Sequence, residues 1–228
     1  MSVITDVSGL AVGHADAIGQ LTGVTVLIPE NPVITALDQR GGAPGTRETD
    51  VLTLENTVDV SHALVFSGGS AFGLESATGV QHWLFEHGHG YSVGKVLIPI
   101  VPCAVIFDLF ANGTGVTQPV VDYRELGLNA CEQRSRQFSL GNAGAGCGAV
   151  AGELKGGTGS ASLFDPKNDY TVGALAVVNS AGSPVMPGSS VFWAWPFEQQ
   201  NELGGQLPPK HPENLEPHFP RNLGPAAH

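Results

Sequence analysis

Residues 62–87 read HALVF SGGS AFGLESATGVQHWLFEH, and they contain the clearest unit of local structure in the chain. His62–Phe66 is a short apolar run, which predicts a buried strand. It ends at Ser67–Ser70, a glycine-rich turn, and apolar residues then recur at helical spacing over 71–87. The pattern therefore predicts a strand, a turn and a helix, with Ser70 as the helix N-cap.

Glycine-punctuated strands and one further helix are predicted in the rest of the chain. Short apolar or β-branched runs bounded by glycine and proline indicate strands, and the periodicity after Pro119 predicts a second helix over 119–138. The other strand candidates are residues 23–29, 33–37, 104–108 and the glycine-rich region 143–178. Two helices beside many strands predict an α/β layered fold, but their order is not the regular alternation of a doubly wound sheet.

The composition changes after about residue 195. Residues 196–228 are rich in proline and show little apolar periodicity, which is typical of an extended tail. We therefore expect a core over residues 1–195 and a proline-rich C-terminal tail over 196–228.

The formal net charge of −11 bears on possible partners. Nucleic acids and anionic membrane surfaces attract basic proteins, so neither is an expected partner. The N-terminus lacks a secretory signal pattern. The longest apolar run, residues 96–110, is too short to span a membrane and is interrupted by Asp108. A cytoplasmic protein is therefore expected.

The cysteines and histidines have no metal-ligand spacing. Cys103, Cys131 and Cys147 form an odd set without CxxC pairs, which predicts buried free thiols in a reducing compartment. His82 and His87 lie five positions apart, whereas two ligands on one helix face lie four apart. No metal or cofactor site is predicted.

The turn at 68–72 nearly matches G-x-S-x-G, the nucleophile elbow of α/β-hydrolases, but position 72 is Phe instead of Gly. Ser70 is therefore interpreted as a helix N-cap, as part of a ligand-facing loop with free N–H groups, or as a serine nucleophile. Asn179 is a second candidate, because an amide at the end of an apolar run can donate to a developing oxyanion. A strand-terminal Asn is also a common turn residue.

Six blocks of sequence, in order along the chain, resemble one family. They are DQRGGAPGTRETD at 38–50, SGGSAFGLE at 67–75, VPCAVIFDL at 101–109, GNAGAG at 141–146, LKGGTGSAS at 154–162 and VVN at 177–179. Together they resemble the L-aminopeptidase/D-esterases, β-peptidyl aminopeptidases and nylon-oligomer hydrolases. The similarity extends from about Ile4 to Gly188.

The resemblance implies a four-layer α-β-β-α sandwich that is completed by a separate β chain. It implies a precursor that cleaves itself before a Ser or Thr, which becomes the N-terminal nucleophile of the β chain. The present chain would be the α chain and would not contain the nucleophile. The implied reaction is hydrolysis of amide bonds in short peptides or amino-acid amides with a free amino end. It needs no cofactor, and the implied assembly is a homo-oligomer of αβ protomers.

The resemblance also implies which residues form the site. Asn179 matches a family catalytic position as an oxyanion donor. Lys155 is the second expected catalytic residue; it follows Glu153, which stands where nylon-oligomer hydrolases carry a functional Lys. The expected substrate-binding residues are Phe107, at the position of an active-site Tyr in those enzymes, and Gly69 and Ser70.

Two alternative functions stay open from the sequence. One is a serine hydrolase that uses Ser70, and the other is a non-catalytic small-molecule-binding protein on the same scaffold. The substrate is also left open between α-, β-, D- and ω-amino amides.

Overall fold

The computed structural model describes residues 2–111 and 121–210. Two α-helices are present in this part of the chain, α1 at Ser76–Glu86 and α2 at Tyr123–Glu132. The strands are β1 Leu10–Ala17, β2 Thr22–Pro29, β3 Val33–Ile34, β4 Thr46–Arg47, β5 Val60–Ser61, β6 Leu64–Ser67, β7 Tyr91–Val93, β8 Val96–Ile98, β9 Cys103–Val105, β10 Val150–Ala151, β11 Leu154–Lys155, β12 Gly157–Asp165 and β13 Tyr170–Val178. Short 3-10 turns lie at Ile4–Asp6, Ile18–Gln20, Asp50–Leu52, Ser70–Glu75, Gly144–Gly146 and Trp195–Phe197.

The main sheet has five strands in the order β1-β2-β6-β9-β4. All neighbours are antiparallel except β6 and β9, which are parallel. The last residue of β6, Ser67, lies opposite Val24 of β2 on one side and Val105 of β9 on the other. The glycine-rich turn that follows Ser67 therefore leaves the sheet from its middle strand.

The second strand of this sheet is covered on both faces, as its nearly continuous apolar sequence suggests. Val24 and Val26 point toward the helices and join a core that includes Val80 and Leu84 of α1. Thr25 points the other way and accepts a hydrogen bond from the backbone N–H of Ala145, at 2.9 Å. The sheet thus lies between the two helices and the turn at 144–146.

The two helices approach each other closely at a pair of glycines. A Cβ at Gly79 of α1 would lie 2.0 Å from the carbonyl oxygen of Arg124, and a Cβ at Gly127 of α2 would lie 2.1 Å from that of Ser76. Gly127 lowers the helix propensity of α2, and this contact explains why the position carries glycine.

A long hairpin of β12 and β13 packs on the side of the sheet away from the helices. Its register runs from Gly157 opposite Val178 to Asp165 opposite Tyr170. The hydroxyl of Ser160 accepts a hydrogen bond from the Ile4 N–H at 2.7 Å, which attaches the hairpin to the N-terminal turn. The layers are helices, sheet and hairpin, so the α/β class is confirmed. Residues 2–111 and 121–210 do not contain a second helix layer.

Several details differ from the sequence predictions. Ser70 is not an N-cap: it begins the 3-10 turn with a left-handed φ of 53°, and α1 starts at Ser76. The second helix is shorter than 119–138, and its N-cap is Asp122, whose carboxylate accepts the Glu125 N–H at 2.9 Å. Pro119, its predicted start, lies outside the described residues.

The apolar run at 173–178 is typical of a strand that is covered on both faces, but the described residues cover only one face of it. Burial alternates strictly along β13, with every second residue exposed. The three cysteines are buried free thiols, as predicted. The described part of the tail contains only the last 3-10 turn as regular structure, and its role as a tail stays a prediction.

Candidate active site

The centre of the candidate site is the turn after β6. Gly69 and Ser70 both adopt left-handed backbone conformations, with φ of 81° and 53°. The Ser70 N–H donates to the carbonyl oxygen of Ile106 at 2.9 Å, and the Ile106 N–H donates to the carbonyl of Ser67 at 2.8 Å. The left-handed conformation of Ser70 carries a steric penalty that glycine would avoid. The hydrogen bonds with the segment after β9 offset this penalty and stabilise the turn.

The Asn179 side chain joins two other segments. Its Nδ2 donates to the carbonyl oxygen of Phe107 at 3.1 Å, and its Oδ1 accepts the N–H of Val150 at 2.9 Å. An amide nitrogen carries two hydrogens, so one N–H of Asn179 is not used by these bonds. The residue is thus fixed in orientation and keeps a donor, as a group that stabilises an oxyanion must.

Lys155 lies beside Val150, the residue whose N–H binds Asn179. In the short hairpin of β10 and β11 it pairs directly with Val150, whose N–H is bound by Asn179. Its side chain is exposed. Burial raises the pKa of the Cys147 thiol, and the positive charge of Lys155 partly offsets this rise. Glu153 lies in the tight turn of this hairpin.

Hydrogen bonds and strand pairing therefore link all five residues predicted for the site. The turn residues bind the segment at 106–108, Phe107 within that segment binds Asn179, and Asn179 binds Val150, which pairs with Lys155. Phe107 also packs edge-on against Phe110, with ring centroids 5.1 Å apart. The segments come from distant parts of the chain and meet at the end of β6, β9 and β13.

Ser70 lacks the partners of a serine nucleophile. Such a serine is activated by a base within hydrogen-bond reach. In the part of the chain that the structure describes, the Ser70 hydroxyl makes no hydrogen bond, and His14 and His62 are bonded elsewhere. The serine-hydrolase alternative is therefore not favoured.

Sequence reasoning missed a buried carboxyl below the turn. Oδ1 of Asp108 accepts the Gly69 N–H at 2.7 Å, and the side chain is buried, at 4% exposure. Burial raises its pKa, and this effect exceeds the opposing influence of the Gly69 N–H and the Thr22 hydroxyl. The sequence carried a signal for it, because Asp108 interrupts an apolar run and buried carboxylates are rare without a partner.

The strand that ends just before Asn179, β13, carries an exposed apolar surface. The exposed residues of β13 are Tyr170, Val172, Ala174, Ala176 and Val178. Leu163 of β12, opposite Val172, is 73% exposed on the same face of the hairpin. Contiguous exposed apolar surface of this kind marks an interaction site. We call these six residues the hairpin face.

The described residues contain neither a metal-binding cluster nor a membrane-spanning helix. Over 2–111 and 121–210, no group of three or more His, Cys, Asp or Glu side chains is placed to hold a metal ion. In the same ranges, neither helix has the length and apolar character needed to cross a bilayer.

Comparison with known proteins assigns the family. The model of peptidase family S58 matches residues 2–206, and the chain belongs to this family. An uncharacterized aminopeptidase of Mycobacterium tuberculosis (strain ATCC 25618 / H37Rv) is 45% identical over 201 residues, which are 85% of this chain and 57% of that protein. A 6-aminohexanoate-oligomer endohydrolase of Kocuria sp. (strain KY2) is 34% identical over 182 residues, 78% of this chain and 48% of the enzyme.

A solved structure shares the fold. The L-aminopeptidase D-Ala-esterase/amidase of Ochrobactrum anthropi, described as a new variant among the Ntn hydrolase fold, superimposes with a TM-score of 0.56 and 21% identity. The match covers 78% of this chain and 53% of that one. The resemblance inferred from the six sequence blocks is thereby confirmed, as is the α/β fold class. The chain spans about half the length of the curated relatives it matches.

Proposed function

We propose that this chain is the α subunit of an autoprocessed aminopeptidase or amidase with an N-terminal Ser or Thr nucleophile on a partner β chain. The observation that carries the proposal is that hydrogen bonds and strand pairing link Asn179, Lys155, Phe107 and the Gly69–Ser70 turn, in a member of peptidase family S58. The relatives named as an aminopeptidase and an oligomer endohydrolase support amide hydrolysis as the reaction.

The proposed chemistry assigns one role to each group. The terminal amine of the β chain, with an ordinary pKa of about 8, takes the proton from the hydroxyl of the same N-terminal Ser or Thr. The hydroxyl oxygen attacks the substrate carbonyl, and the remaining N–H of Asn179 donates to the oxyanion. The protonated terminal amine then gives its proton to the departing amine as the C–N bond breaks, and water hydrolyses the ester left on the β chain to release the acid and restore the free hydroxyl. Lys155 adds positive charge beside this site, and Phe107, Gly69 and Ser70 contact the substrate.

The hairpin face supports a β-chain partner. Apart from the Tyr170 hydroxyl it is apolar, and its last residue, Val178, precedes Asn179 in the chain, so a chain that covers it would also come near the proposed catalytic groups. We place the β chain there, as part of the second half of the sandwich. Homo-oligomers of the αβ protomer belong to the same proposal.

The proposed substrates are short peptides or amino-acid amides with a free amino end, and the reaction uses no cofactor. A cytoplasmic location is part of the proposal and is supported by the three buried free thiols, because cytosolic proteins keep cysteines reduced.

The test is to express the full-length gene product and analyse it by denaturing mass spectrometry and hydrolysis assays. We expect two polypeptides, the second of which starts with Ser or Thr. The same sample should release p-nitroaniline from L-amino-acid p-nitroanilides or cleave 6-aminohexanoate oligomers. A single intact chain with full activity would contradict the proposal.

A further inference from the structure

Asp108 has an arrangement that folding alone does not require. Its Oδ1 accepts the Gly69 N–H at 2.7 Å, but Oδ2 is buried and forms no hydrogen bond of good geometry with the residues in 2–111 or 121–210. The Thr22 hydroxyl is only close enough to lower the pKa of the carboxyl, against the larger effect of burial. Buried polar atoms without partners are rare in native proteins. An apolar side chain of similar size would fill this position at lower cost.

The turn above Asp108 is packed tightly around the carboxyl. A Cβ at Gly68 would lie 2.0 Å from Asp108 Oδ2 and 2.2 Å from Thr22 Oγ1. A Cβ at Gly69 would lie 2.1 Å from the ring of Tyr123, whose hydroxyl is 3.1 Å from Thr22 Oγ1. The turn therefore packs directly against three polar side chains, those of Thr22, Asp108 and Tyr123.

The same carboxyl lies next to the anchor of Asn179. Asp108 directly follows Phe107, whose carbonyl accepts from Asn179 Nδ2. It therefore fixes the distance between the Gly69–Ser70 turn and the segment that holds Asn179. Strained backbone that is held by buried polar groups is a recurrent feature of functional sites.

We propose that Asp108 is a positioning residue: its buried carboxyl holds the Gly68–Ser70 turn in register with Phe107 and Asn179, so that substrate and Asn179 meet. This inference rests on the proposed function, because the turn matters for turnover only if it lines the active site. Asp108 acts through the turn and does not itself touch the substrate.

The test compares Asp108→Ala and Asp108→Asn in the full-length protein. The Ala variant removes the acceptor, whereas Asn keeps an oxygen for the Gly69 N–H and can donate its amide to Thr22. Two readouts are used: deuterium uptake of peptides that cover 67–72, and kcat and KM for L-alanine p-nitroanilide. Asp165→Ala is the matched control, because Asp165 also binds a backbone N–H, that of Lys167 at 2.8 Å, but in the remote hairpin turn.

We expect Asp108→Ala to speed exchange in the turn and to lower kcat/KM by about a hundredfold, the scale of a small misplacement of a substrate group. Asp108→Asn should keep deuterium uptake over 67–72 and kcat/KM close to the wild-type values, and so should the Asp165→Ala control. The Asn variant should also melt at a higher temperature at pH 7. A carboxyl with a raised pKa destabilises the fold once the pH exceeds that pKa, and Asn removes this cost.

Three results would overturn the proposal: unchanged exchange in Asp108→Ala, faster exchange with unchanged kinetics, or an Asn variant as impaired as the Ala variant. If Asp108→Ala does not fold, Asp108→Leu replaces it, because an apolar side chain suits the buried position. If the wild-type protein hydrolyses no amide, the proposed function fails, whereas the exchange experiment still decides whether Asp108 holds the turn.

Discussion

The side chain of Asn179 donates a hydrogen bond to the backbone carbonyl of Phe107, 3.1 Å away and 72 residues earlier in the chain. With its second bond, to the Val150 N–H, Asn179 connects three segments that have no local reason to meet. The residue proposed to stabilise the oxyanion is therefore also a structural connector, and its substitution must be designed to separate the two roles.

We predict that Asn179→Ala lowers kcat by about a hundredfold or more, the usual scale for loss of one oxyanion donor. The structure adds a cost to stability, since two hydrogen bonds of about 1 kcal/mol each are lost. Steady-state kinetics and thermal melting of the processed protein measure both effects.

Asn142→Ala is the matched control for this variant. Asn142 also donates its Nδ2 to a backbone carbonyl, that of Gly156 at 3.2 Å, but it is exposed. We expect it to retain kcat. Equal losses of kcat in both variants would indicate that Asn179 is only a connector.

The left-handed Ser70 allows its hydroxyl and its backbone to be tested separately. Ser70→Gly relieves the steric penalty of φ 53° and should stabilise the fold by about 1 kcal/mol. Ser70→Ala keeps the penalty. Both variants lose the hydroxyl, so both should raise KM by a similar, modest factor if Ser70 contacts substrate. If Ser70→Ala abolished turnover while Asn179→Ala did not, the serine-hydrolase alternative would replace our proposal.

Two partly or fully buried histidines predict loss of stability in mild acid. Burial lowers the pKa of His14 and of His62 below the ordinary 6.5. The unfolded chain then binds more protons than the folded one as the pH falls below about 6.5, so stability decreases over that window until the folded pKa values are passed. Both rings accept hydrogen bonds on Nδ1, His14 from Thr25 and His62 from the Ile100 N–H, and protonation would remove these acceptors.

Melting temperatures at pH 7.5 and pH 5.0 measure this effect. His62→Gln keeps an acceptor for the Ile100 N–H without a titrating ring and should reduce the difference between the two pH values. His82→Gln, at an exposed position that contacts Arg124, should leave it as in the wild type. A wild-type melting temperature that does not fall between these pH values would contradict the prediction.

The sequence predicted the strand, turn and helix at 62–87 because the apolar pattern changes from a short continuous run to helical spacing at one glycine-rich point. The site residues were predicted through the family resemblance, and their roles stay predictions. It could not predict that Val150 links Asn179 to Lys155, because the Asn179–Val150 contact spans 29 residues and depends on how the hairpins pack.

One other feature was missed for a physical reason. Asp108 was noted only as an interruption of an apolar run, since a sequence does not show which backbone N–H a buried carboxyl will bind.

The exposed hairpin face should make residues 1–228 unstable when they are expressed alone. Val172 is 56% exposed and Leu163 is 73% exposed, on paired strands with no further strand beside them in the described ranges, apart from one isolated bridge to Gly141. Exposed apolar faces and unpaired strand edges promote aggregation. The isolated chain should therefore be insoluble or molten, and co-expression with the β segment should rescue it.

Val172→Lys should increase the soluble yield of the isolated chain and prevent recovery of the αβ complex, because a charge would be buried in the interface. Leu54→Lys, at a position that is 93% exposed outside the hairpin, should do neither. A soluble, cooperatively melting monomer of unmodified residues 1–228 would refute the claim that this face requires a partner.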